Sequence, residues 1–148
     1  MANLSAILSG VNRLRNGATG ASVAYPVLAG PVTVTSGTSA WGLGAWSQIV
    51  AANTIGTVAL TGAWCNVAAP ATNYQIEIGA GGAGSEVVVH RFIADRKQVT
   101  AVGVSDRYTS WFAVPVQLTI DARLAVRTAD DGGSNTIDIK LLVTPRPF

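Results

Sequence analysis

The chain has 148 residues, 49% hydrophobic against 12% charged, with 16 glycines, one cysteine and a formal net charge of +2. That length suits one domain with a proper core. So apolar a composition, with a mean hydropathy of +0.36, predicts surface covered by other copies or a partner, hence an oligomer. The mixed signs of charge form no basic patch, so nucleic acid is not an expected partner.

The N-terminus lacks an apolar core followed by a cleavage site, and Arg13 and Arg15 come after the apolar residues, so no secretion signal is expected. No apolar stretch reaches the roughly 18 to 20 residues of a membrane helix, and no membrane partner is expected. Residues 4–14, "LSAILSGVNRL", place Leu4, Ile7, Leu8, Val11 and Leu14 on one helical stripe, with Asn3 or Ser5 as cap. "RNGATGASVAYPVLAGP" follows, rich in Gly, Ala, Ser and Pro and without a period, as in an extended arm that reaches a neighbouring subunit.

From Pro31 onward the pattern is of short strands rich in Val, Ile and Thr, separated by Gly, Asn, Asp and Pro. They are expected at 32–36, 46–50, 57–65, 73–79, 85–93, 98–104, 111–120, 122–129 and 135–143. In "VPVQLTIDARLAV" one parity is apolar and the other largely polar, so one face is buried. "TADDGGSNTIDIKL" reads as a hairpin turning at Asp131, Gly132 and Gly133. The two prolines of "TPRPF" make a poor strand continuation, so the end reads as an exposed tail able to dock on a partner. Regular short strands with half-buried faces predict an all-β fold: an antiparallel two-sheet sandwich of jelly-roll or related Greek-key type. The expected division is an arm with a short helix at 1–30, a β-sandwich at 31–143 and a tail at 144–148.

Several stretches resemble sites of chemistry. Gly79, Gly81 and Gly84 in "IEIGAGGAGSEVVV" have the spacing of a dinucleotide-binding loop, with Asp106 about where a ribose-binding acid falls. Such a loop works by opening a helix whose N-terminal amides hold the pyrophosphate. The β-branched run that follows predicts a strand, so the glycines read as a turn between two strands and no nucleotide cofactor is expected.

Cys65 is alone and reads as a buried thiol. With His90 as the single histidine, the chain lacks the ligands of a zinc or cupin-like centre. Asp130, Asp131 and Asn135 offer oxygens for calcium, but turn chemistry is the simpler reading, and no metal is expected. A hydrolase would need Ser85 or Cys65 activated by His90, yet Ser85 and His90 fall on opposite faces of a regular strand. Glu77 and Glu86 form a candidate acid pair; pairing with Arg91 or Arg123 is preferred. Trp41, Trp46, Trp64 and Trp111, with Tyr25, Tyr74 and Tyr108, are candidates for interfaces or sugar stacking, against a core role. The interface candidates are Leu4, Ile7, Leu8, Val11, Tyr25, Trp41, Trp46 and Phe148.

"WSQIVAANTIGTVALTG", "NYQIEIGAGGAGSEVVV", "FAVPVQLTIDARLAVRT" and "NTIDIKLLV" together resemble small β-rich virion proteins of tailed bacteriophages, most of all the jelly-roll decoration or cement proteins. The resemblance spans about residues 45 to 143. It implies a non-enzymatic role on the capsid surface of a virion assembled in the bacterial cytoplasm. The implied form is a homotrimer clamping neighbouring copies of the major capsid protein. A tail or fibre module binding host glycan through its tryptophans is the alternative.

Overall fold

The computed structural model describes residues 23–25, 30–52, 58–67, 73–95, 106–118 and 123–145. All regular structure among them is β: β1 (Val23–Tyr25), β2 (Val32–Thr35), β3 (Ser47–Val50), β4 (Val58–Val67), β5 (Asn73–Ala80), β6 (Val87–Asp95), β7 (Asp106–Leu118), β8 (Leu124–Asp130) and β9 (Thr136–Pro145). The helix expected at 4–14 and the strand expected at 98–104 lie outside the described residues, as do Leu4, Ile7, Leu8, Val11 and Phe148.

Two antiparallel sheets form the sandwich. One runs β1-β9-β4-β7, with β2 also on β9; the other runs β3-β8-β5-β6. The pairings β2 with β9, β3 with β8, β4 with β7 and β5 with β6 nest inside one another. The chain is therefore one long hairpin, turned back at β5–β6 and rolled so that its halves lie in two sheets. This is the jelly-roll order.

Three expectations change. The turn after Asp130 does not close a hairpin of paired strands, because β8 and β9 belong to different sheets and the turn carries the chain between them. Within the stretch read as an arm, Val23, Ala24 and Tyr25 pair with Val143, Leu142 and Leu141. At the other end β9 runs on through Thr144 and Pro145, opposite Ala59 and Val58. The end of a ladder tolerates the missing proline N–H. Pro115 is accommodated differently: it falls where the β4–β7 register shifts between Leu60↔Val116 and Gly62↔Trp111, so an interrupted ladder takes up the residue that cannot donate.

The core follows the period-two pattern. Tyr74, Ile76 and Ile78 of β5, Leu124 and Val126 of β8, and Ile137, Ile139, Leu141 and Val143 of β9 are buried, with Leu60, Ala63 and Cys65 of β4 between the sheets. Each fully buried Leu or Ile contributes about 1.5 to 3 kcal/mol. The Tyr74 hydroxyl reaches the Thr136 carbonyl at 3.1 Å, which satisfies its polar end inside the sandwich.

Candidate functional site

The outer face of the second sheet carries a row of charge. Glu77 of β5 lies opposite Arg127 of β8 on one side and Arg91 of β6 on the other. Although it faces away from the core, Glu77 is fully buried, because these arginines close over it. Arg127 donates through Nε to Glu77 Oε2 at 2.8 Å, and Arg91 Nη2 donates to Oε1. Gln75 Nε2 adds a weaker contact at 3.4 Å. Burial alone pushes the Glu77 carboxyl up; hydrogen bonds from Arg127 and Arg91, and their charges, outweigh it and hold the group below 4.5.

Trp46 roofs this row. Its ring lies 4.4 Å from the Arg127 guanidinium carbon, a cation–π contact. The far edge of the indole rests on Gly79, where a Cβ would come within 2.7 Å of Trp46 Cη2. Gly79 thus provides close approach for an aromatic ring, not for a phosphate. Beside it Arg123 bonds Glu86 and, through Nε, Gln48 Oε1 at 2.8 Å. Burial pushes Glu86 up, but Arg123 and nearby backbone N–H groups hold it below its ordinary value. The carboxylates Glu77 and Glu86 are therefore engaged by Arg91 and Arg123, the arginines expected, with Arg127 as an unforeseen third.

The glycine loop is the β5–β6 turn, and a strand follows it. Gly81 and Gly84 have φ of 130° and 81°, and Ser85 N bonds the Gly82 carbonyl at 3.1 Å. Asp106 begins β7. Ser85 Oγ bonds Gly82 O at 3.3 Å, while His90 stacks on Phe112 with centroids 3.9 Å apart. Burial in that aromatic setting lowers the His90 pKa. Cys65 is buried in β4 and its thiol is pushed up to about 12 by desolvation, far from the thiolate a nucleophile requires. The pairings proposed for a hydrolase are not assembled among these groups.

At the end of the sandwich where β8 crosses to β9, Asp130 organises two loops. Its carboxylate accepts from the Ser36 hydroxyl, the Gly132 and Gly133 amides and Asn135 Nδ2. Asp131 takes a 3.0 Å bond from Asn73 Nδ2. Protein donors thus occupy Asp130, as turn chemistry requires. Burial raises its pKa, and the bonds from Ser36, Asn135, Gly133 and Gly132 more than offset this.

The same anchor holds the β2–β3 loop. Trp41 N bonds Asp130 O at 2.6 Å, Gly44 N bonds Thr128 O at 2.9 Å, and Ser134 N bonds Gly37 O at 2.7 Å. Trp41 is held at φ 61°, a left-handed conformation unfavourable for a bulky residue. Its side chain is nevertheless 51% exposed, next to Leu43 at 41%. The structure therefore separates the candidate aromatics. Trp41 projects, Trp46 is half-buried over Gly79, and Tyr25 packs partly buried against the core. The side chains of Trp111 and Tyr108 lie outside those described.

Among the described residues no three of His, Cys, Asp and Glu converge as metal ligands, and no helix is long and apolar enough to cross a membrane. The chain matches no known family model and no curated protein.

Proposed function

We propose that the protein is a non-enzymatic virion component that decorates and stabilises the capsid of a tailed bacteriophage, acting by interface burial. The observation that carries this reading is the Trp41–Leu43 knob: apolar, exposed and held in a strained backbone conformation by a buried anchor. Strain of this kind persists where the surrounding structure imposes it, and it concentrates at binding sites. A rigid tryptophan is also the side chain that most often dominates a protein interface. The resemblance of the strand segments to decoration proteins implies the major capsid protein as partner, and a jelly-roll order is in keeping with that reading. Self-association, as a homotrimer in that resemblance, multiplies weak contacts on a repeating lattice.

The test is co-sedimentation of purified protein with undecorated capsids. Trp41→Ala is expected to weaken attachment at least about tenfold with the melting temperature unchanged, in line with loss of an interface anchor. Undiminished binding by the folded variant would refute the role of the knob. Exposure of Trp41 also suits stacking on a sugar ring, the tail or fibre reading. A glycan array separates the two, because decoration requires no saccharide.

A further inference from the structure

The second sheet ends at β6, which pairs with β5 on one side and, among the described residues, with nothing on the other. Which backbone groups face this open edge follows from β5. Asp131 N bonds Asn73 O at 3.3 Å and Gly81 N bonds Arg123 O at 3.2 Å, so the odd-numbered residues of β5 direct their N–H and C=O groups towards the β8 side. The even-numbered ones, Tyr74, Ile76 and Ile78, then bond β6 at their partners Ala94, Phe92 and His90. By the same alternation, residues 91, 93 and 95 present both backbone groups to the open edge.

Sheet edges are commonly blunted by lysine or proline, and Val87–Asp95 contains neither. Large apolar side chains are exposed along it, Ile93 at 49% and Val87 at 68%, with Arg91 between them. The register shift that leaves Val89 between Ile78↔His90 and Gly79↔Val88 interrupts the N-terminal part, so the regular free ladder begins at His90.

The sequence there, Arg91-Phe92-Ile93-Ala94-Asp95, is complementary to itself when antiparallel. We propose that the open edge of β6 pairs with β6 of a second copy about a twofold axis, Ile93 opposite Ile93 and Arg91 opposite Asp95. Of the registers centred within this stretch, this one matches outward-facing backbone with outward-facing backbone and sets opposite charges across the ladder. Centring on Arg91 opposes two arginines, centring on Asp95 opposes two aspartates, and centring on Phe92 or Ala94 keeps the backbone in phase but sets Arg91 apart from Asp95. Phe92 then meets Ala94, a large side chain over a small one. Arg91 has donors to give: its side chain is 58% exposed and reaches Glu77 through Nη2, one of its three guanidinium nitrogens. Three close pairs, each exchanging two bonds, make about six backbone hydrogen bonds. The small net charge of +2 opposes association only weakly.

This pairing goes beyond the capsid reading and does not depend on it. By itself it makes a dimer; together with a threefold contact elsewhere it joins two trimers. Purified full-length Ile93→Cys, mildly oxidised, is expected to form a disulfide-linked dimer, because close-pair Cα atoms lie about 5.5 Å apart, within disulfide range. An exposed control on the other sheet, Gln117→Cys, and the wild type with its buried Cys65 are expected to stay largely uncrosslinked. Ile93→Pro removes an N–H that faces away from β5 and pairs with no other described strand, so circular dichroism and melting should persist while the light-scattering mass halves. Asp95→Lys should weaken association about tenfold by opposing two pairs of like charges. No crosslink in Ile93→Cys, with an unchanged mass in Ile93→Pro, would overturn the pairing and leave the capsid proposal intact. Loss of capsid binding by a protein that still forms the crosslinked dimer would count against the capsid reading alone.

Discussion

Two buried carboxylates, Glu77 and Asp130, are stabilised in opposite ways. Glu77 is answered by the full charges of Arg91 and Arg127 on neighbouring strands, whose long stems leave both guanidinium groups partly in water. Asp130 is answered by neutral donors, two of them backbone amides of its own turn, with a hydroxyl brought from Ser36, 94 residues away. The first arrangement joins strands that the ladder already holds in register. The second determines the path of two loops, including the one that presents Trp41. A charge pair on a sheet face is therefore replaceable, whereas a carboxylate that solvates a turn is part of the turn.

The largest test of this contrast is Asp130→Ala, which strands several buried donors and is expected to cost about 3 to 5 kcal/mol in denaturant unfolding. Glu77→Gln keeps the shape and one acceptor, and about 1 to 3 kcal/mol is expected. The comparison sharpens with Glu77→Met combined with Arg127→Leu. An apolar pair there should restore stability to within about 1 kcal/mol of wild type, since buried ion pairs are often matched by packed hydrophobic residues. If the double variant is as unstable as Asp130→Ala, the distinction fails.

Acid should remove both contributions, after an earlier loss that belongs to neither. His90 has a folded pKa below its ordinary 6.5, so the unfolded chain takes up the proton first and stability begins to fall as pH drops below about 6.5. Glu77 and Asp130 are lowered from 4.5 and 3.8; their stabilisation is complete above those values and is lost as pH falls through the lower folded ones. Melting temperatures should therefore be level at neutral pH and decline in two stages. His90→Leu should abolish the first stage and spare the second. The smallest effect expected is that of Trp41→Asn. Asparagine adopts the left-handed conformation more readily, so stability should stay level or rise by up to about 1 kcal/mol. In an Asp130→Ala background, where the loop is released, that gain should disappear.

Much of this was legible in alternation and turn chemistry. Eight of the strands fall on or beside the expected segments, and the glycine loop is a turn because the β-branched run after it forms β6. The pairs Glu77–Arg91 and Glu86–Arg123 were accessible for the same reason: both link elements near the glycine turn or residues of complementary charge on one sheet face. Arg127 was not, because its proximity to Glu77 depends on β8 lying beside β5, a matter of topology. The turn at Asp131–Gly133 misled in an instructive way. The local demand for tight backbone is the same whether the flanking strands pair or part into opposite sheets, and nothing nearby reveals Ser36. Trp46 over Gly79 had a faint signal in the glycine itself, whose missing side chain marks a close approach without naming the visitor.

The nested pairing of the strands has a consequence for how the chain reaches this state. Glu77 and Arg91 are 14 residues apart across β5–β6, whereas Thr33 and Asp138, bonded across β2–β9, are 105 apart. Loop-closure entropy favours the short connection first and opposes each longer one more strongly. Folding should then start at the β5–β6 turn and zip outward, with the outermost strands last and the overall rate in the slow, millisecond-to-second range of non-local β proteins. The glycines that imitate a phosphate cradle would thus matter to kinetics, as the place where the chain first turns back on itself.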